Sequence, residues 1–237
     1  MTHDVSVILT VAWAAGLAAP AGGLIARYER SPDGEFKNQV VHGVVAFGGG
    51  ILLAAVTFAL LPEGMAILDG FILTMLFCAG GVAFAALGAL LQRRGGSAAQ
   101  FLALVMDFVP EALSLCAMFG RSRELGILLA AFIGAQNLPE GFNAYRELKT
   151  VGVRPRNALG ALVGASALGP AAALVGHLFL RDRQTLTASI MVFAAGGILY
   201  LIFEDIAPQA KTQHHGGPAL GAVLGFALGM LAKTLLA

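Results

Sequence analysis

The chain has 237 residues, 57% of them hydrophobic and 12% charged, about half the charge of an ordinary soluble domain. Its net charge is +1, so there is no basic excess to neutralise phosphates and no acidic tail to recruit basic partners. Nucleic acid is excluded as a partner, and most of the surface is built for a solvent other than water.

A helix needs about 20 predominantly apolar residues to cross the hydrocarbon core of a bilayer. Eight stretches qualify: 5–26, 40–62, 70–91, 98–119, 124–145, 158–179, 187–207 and 217–236. The first has no Lys or Arg before it and Arg27 after it, the reverse of a cleaved signal peptide, so it is expected to remain as a span. Breaks follow at Arg-Ser-Pro-Asp-Gly (30–34), Arg-Arg-Gly-Gly (93–96), Val-Arg-Pro-Arg-Asn (153–157) and His-His-Gly-Gly-Pro (214–218). Short alternating strands are missing, which leaves an all-α polytopic membrane protein, one transmembrane domain over residues 1–237 with the lipid bilayer as its medium. Cys78 and Cys116 lie inside apolar runs without disulfide or zinc-finger spacing, and read as helix packing. Glycines such as Gly160 with Gly164, and Gly221 with Gly225, fit small-xxx-small helix contacts.

Cytoplasmic loops retain Lys and Arg. Arg27, Arg30, Lys37, Arg93, Arg94, Arg146, Lys149, Arg154, Arg156 and Lys211 fall on one side, against Arg121, Arg123, Arg181, Arg183 and Lys233 on the other. Both termini are therefore expected outside.

Ionisable groups inside a span are costly and mark function by default. The fourth span reads Asp107-Phe108-Val109-Pro110-Glu111 and the fifth Gln136-Asn137-Leu138-Pro139-Glu140: one pattern written twice. Each copy sets a polar residue at i and a Glu at i+4, on one helical face. Each Pro removes an N–H, bends the helix and frees a carbonyl, that of Met106 or of Ala135. Three carboxylates and an amide at mid-membrane, with no Lys or Arg in either stretch, call for a cation. A divalent metal is the simplest, and oxygen ligands suit Mn²⁺, Fe²⁺ or Mg²⁺ at least as well as Zn²⁺. The bland alternative is two protonated Glu residues acting as interhelical hydrogen-bond glue.

With these motifs the chain resembles the ZIP (Zrt/Irt-like) metal transporters, in a short prokaryotic-type form. Gln136 to Gly141 match the family's fifth-span motif throughout, while the fourth-span copy keeps Pro110 and Glu111 but has Asp107 where the family usually has His. Leu60-Leu61-Pro62-Glu63-Gly64 and the stretch from Leu199-Tyr200 to Pro208-Gln209-Ala210 look like the family's second- and seventh-span endings. The resemblance implies eight spans, a bacterial inner-membrane location and inward transport of a zinc-, manganese- or iron-class ion. The metal is then substrate, with no prosthetic group and no enzymatic activity, and a homodimer is the assembly considered. It also implies Asp107, Glu111, Gln136 and Glu140 as ligands of one metal. A second, adjacent metal is not expected, because Phe108 and Gly169 stand where family members place an Asn and a Glu.

Asn137 is an alternative ligand; Asn143 and Ser114 read as interhelical hydrogen-bonders, Ser114 being close enough to the path to take part in it. Glu204 and Asp205 align with a pair that the resemblance implicates at the cytoplasmic exit, against a plain solvated helix end. Glu63 can concentrate cations at the outer mouth or simply cap its helix. His42 and His177 have no i, i+4 partner histidine and are not taken as ligands, while His214 and His215 can catch exiting metal or sit in a plain loop. Two other functions remain open: a metal-binding sensor or transport-deficient homologue, and an intramembrane metallohydrolase, for which His-Glu-x-x-His ligands are missing.

Overall fold

A computed structural model describes residues 2–29, 35–93, 99–180, 183–209 and 217–236. Arg30, Arg94, Arg181, Lys211, His214 and His215 lie outside the described residues.

Every described element is helical. The order is α1 (Thr2–Tyr28), α2 (Glu35–Ala55), a π turn (Val56–Leu60), α3 (Leu61–Ile67), α4 (Gly70–Arg93), α5 (Ala99–Arg121), α6 (Arg123–Thr150), α7 (Pro155–Ser166), α8 (Leu168–Phe179), α9 (Gln184–Leu201), a second π turn (Ile202–Ile206), α10 (Ala207–Gln209) and α11 (Gly217–Leu236). α2, its π turn and α3 form one continuous rod, as do α9 and the second π turn, whereas α7 and α8 are separated only at Ala167. Among the described residues, seven helical segments are long and apolar enough to cross a membrane, and the chain is a multi-pass membrane protein. The stretch expected as the fourth span, α5, is not among these seven.

Two groups of helices pack around the centre. α1, α5, α6, α7 and α8 pack on one another, as do α2, α3, α4, α9 and α11, and the groups meet where α2 touches α6 and α5 touches α9. A buried core runs through that seam, with Leu60, Phe108, Leu115, Leu129, Ile133 and Ile198 almost fully enclosed. Lipid tails are as apolar as leucine, so close backbone packing must hold the helices together. At Gly141 on α6 an added Cβ would run into the backbone of Ala19 on α1, and at Gly22 on α1 into Leu138 of α6. Gly221 and Gly225 make the same kind of approach to Gly43 and Phe47 of α2. Gly160 and Gly164 do not: nothing lies near either, since α7 buries its opposite face through Ala158, Leu162 and Ala165. Cys78 is exposed on α4 instead of packed, and only Cys116 is buried.

The two π turns share one register. Each ends two residues before a proline, Pro62 or Pro208, and each closes with an N–H five residues on, from Leu61 to Val56 O and from Ala207 to Ile202 O. Their rods run in opposite directions, so one device stands near each end of the bundle. π turns inside α-helices are rare and frequent at functional sites.

Candidate metal centre

α5 and α6 are joined at Ser122, which caps α6: its Oγ accepts from the Leu125 N–H at 3.1 Å and donates to Glu124 Oε2 at 2.9 Å. This tight reversal sets the register of the two copies. Counted along each helix at about 1.5 Å per residue, Gln136 falls level with the interval between Asp107 and Glu111, and Glu140 falls roughly 5 Å beyond Asp107. The contacts follow that depth. Gln136 Nε2 donates to Asp107 Oδ2 at 3.0 Å and to Glu111 Oε2 at 2.6 Å. Asp107 is 3% exposed, and Glu111 and Gln136 are fully enclosed. Glu140 is half-buried and lies near enough to Asp107 and Glu111 for their charges to interact.

What these groups lack is a donor. Asp107 Oδ1, Glu111 Oε1, Gln136 Oε1 and Glu140 Oε2 are all sealed from solvent without a hydrogen-bond partner. All four are acceptors, and a buried acceptor left unpaired costs about 1–3 kcal/mol. Among the described residues, no three His, Cys, Asp or Glu side chains form a ready-made ligand cage. Instead, the amide NH₂ of Gln136 stands between the two α5 carboxylates.

Other expected residues fall elsewhere. Asn137 turns to α1, where Nδ2 donates to Ala15 O at 3.1 Å and Oδ1 stays buried without a partner. Ser114 does not bridge helices: its Oγ donates to Pro110 O at 2.9 Å, within α5. Phe108 fills the space beside Gly169 and Gly16, since a Cβ on either glycine would collide with its ring. Glu204 is exposed and Asp205 half-buried, both on the second π turn, and Glu63 is half-buried in the first turn of α3.

Some features were not anticipated. Glu147 of α6 lies close enough to interact electrostatically with Asp205, which adds a third carboxylate to that end of the bundle. α6 also runs beyond the expected limit of 145 and so includes Arg146, half-buried over the Phe142 ring at 5.7 Å, with Nη1 unpartnered. Cys116 Sγ lies 3.4 Å from His177 Nδ1. Sequence spacing signalled none of the three, because each depends on a contact between distant segments or on a helix continuing past its apolar stretch.

One curated relative points toward metals. The chain is 31% identical over 135 residues to the zinc transporter GufA of Myxococcus xanthus, a match covering 55% of this chain and 52% of that protein. The chain thus spans about half the length of the relative it matches. No family model matches it.

Proposed function

We propose that this chain carries a divalent metal cation of the zinc, manganese or iron class across the membrane through the centre formed by Asp107, Glu111, Gln136 and Glu140. The observation that carries the reading is the set of four enclosed acceptor oxygens, contributed by facing helices, that no protein group satisfies. A divalent cation supplies what they lack. It neutralises carboxylates that repel one another in a medium of low dielectric, and oxygen donors suit hard to borderline ions.

The partial positive charge of the Gln136 NH₂ stands between the two α5 carboxylates. Turning the amide over withdraws the NH₂ and presents Oε1 beside Asp107 and Glu111. In this reading α5 is the eighth span, and its Asp107 and Glu111 belong to the transport site. In this reading, which the charge bias supports, both termini lie outside a bacterial inner membrane, with Glu63 at the entrance and Glu204, Asp205 and Glu147 at the exit. The ZIP resemblance supplies the inward direction.

A second reading, a metal sensor that binds without flux, is favoured by Phe108 and Gly169 replacing potential ligands of a neighbouring metal. Radiotracer uptake into proteoliposomes, paired with equilibrium binding on the same preparation, separates the two. A transporter accumulates ion and loses flux in Glu111→Gln. Binding without accumulation would reject transport in favour of sensing, and absence of both would reject the centre.

A further inference from the structure

We infer that the groove between α1, α2 and α6 binds a phospholipid whose headgroup carries a primary ammonium, with one acyl chain laid in the groove and the phosphate on Arg146. The inference does not rest on the transport reading.

The groove has a volume of about 410 Å³, within the range of small-molecule sites. Ile25 of α1, Val40, Val44 and Phe47 of α2, and Leu138 and Phe142 of α6 form its walls. Ile25, Val40, Val44 and Leu138 are exposed, so the groove opens sideways on the face that lipid covers. From Val40 to Phe47 it runs about 10 Å along α2, at about 1.5 Å per residue. It ends at Ala135 and Pro139, where a Cβ on Gly48 of α2 would meet the proline ring. Because α1 and α6 belong to one helix group and α2 to the other, a chain lying there spans the seam.

The other end of the groove stands at headgroup level. Tyr28 is exposed where α1 finishes, with the Arg27 guanidinium 5.7 Å from its ring centre, and tyrosines collect at the membrane interface. Lipid tails are as apolar as the groove's own side chains, so a tail alone gains little by entering. The headgroup must decide occupancy, and two residues at this end suit it.

Arg146, one turn before the end of α6, lies over the Phe142 ring at 5.7 Å and has an enclosed Nη1 with no acceptor in the protein. An arginine near a helix end reaches outward to the interface. Turning the guanidinium brings Nη1 to a phosphate oxygen, an acceptor that its planar fork fits. Glu29 lines the mouth and is half-buried. Its carboxylate repels a wholly anionic headgroup and accepts hydrogen bonds from a primary ammonium, which a quaternary ammonium cannot donate. The larger cleft of about 690 Å³ between α2, the second π turn and α11 has only apolar residues in its lining, so it offers a tail space and a headgroup nothing.

The test uses the full chain, delipidated in mild detergent and offered equal amounts of dioleoyl phosphatidylethanolamine, phosphatidylcholine and phosphatidylglycerol. Native mass spectrometry reads the retained lipid, and identical tails leave the headgroup as the only difference. The ethanolamine lipid is expected to be retained about three- to tenfold above the other two, the worth of one hydrogen bond. Arg146→Met should lower retention of all three, whereas Glu29→Gln should erase the preference and leave retention of the choline lipid unchanged. Val40→Trp, which fills the groove from an exposed position, should remove the ethanolamine lipid, while Val163→Trp, exposed on α7 and outside the groove, should not. Glu111→Gln should leave retention unaltered, so failure of the transport reading and failure of this one are told apart. Equal retention of the three lipids would overturn the inference, as would a Val40→Trp protein that still holds the ethanolamine lipid. A mass of two chains without lipid would also overturn it and assign the groove to a second copy.

Discussion

The two copies of the Pro-Glu pattern are alike in sequence and unlike in structure. On α5, Asp107 and Glu111 present two enclosed carboxylates that share a single NH₂ donor. On α6, the enclosed residue is the neutral Gln136, and the acidic member, Glu140, is half-buried. The same spacing therefore gives one copy that concentrates negative charge and one that supplies both the compensating amide and the least enclosed carboxylate. The repeated spacing sets the geometry, and the difference between Asp and Gln at the first position sets which copy carries the charge.

That division can be broken most decisively by charge removal. Glu111→Gln is expected to reduce uptake at least about a hundredfold, at or above the upper end for loss of a metal-site partner, while Glu140→Gln should cost about tenfold. Proteoliposome flux measured at matched protein content checks the order, and a reversed ranking would refute the asymmetry. Gln136→Ala leaves Asp107 and Glu111 without their donor, which should destabilise the cation-free protein by about 1–3 kcal/mol. Thermal unfolding in detergent, with and without saturating metal, reads that loss, and metal should narrow the difference from the unaltered chain.

Ligand chemistry offers a finer probe. Asp107→His exchanges an oxygen donor for a nitrogen one and should move preference from Mn²⁺ toward Zn²⁺ by several-fold, seen as a shift in competitive inhibition of uptake. The smallest change expected is one of stoichiometry. Gly169→Glu alone should not add a second ion, because the Phe108 ring already fills that space. Combined with Phe108→Asn, it should raise bound metal from one to two per chain at the carboxylate centre, measured by elemental analysis.

Much of the architecture was legible because apolar length and i, i+4 spacing are local properties. The approximate spans, the α5/α6 pairing and the level at which Asp107, Glu111 and Gln136 meet follow from counting residues. What escaped counting depends on orientation or on contacts across the chain. Nothing local says that Gly160 and Gly164 face outward while Gly221 and Gly225 meet α2. Asn137 and Gln136 are adjacent amides, and only the presence of α1 on one side and α5 on the other sends them to Ala15 and to the carboxylates. Ser114 was expected to reach another helix, but a carbonyl in its own preceding turn was closer. Pro62 and Pro208 were the available signs of irregular backbone, yet a proline does not reveal that the turn before it has widened.

Each widened turn before those prolines holds a surplus residue relative to regular winding. The widened turn absorbs that residue locally, so what lies beyond it keeps its place on the rod, whereas an insertion wound into a plain α-helix would rotate it by about 100° about the axis. Deleting a single position from 56–60 would therefore restore ordinary winding and leave Glu63 on its present face. The same deletion in 202–206 would leave Pro208 aimed as it is. Each rod tip, at opposite ends of the bundle, thus tolerates the loss of one residue without disturbing the central carboxylates.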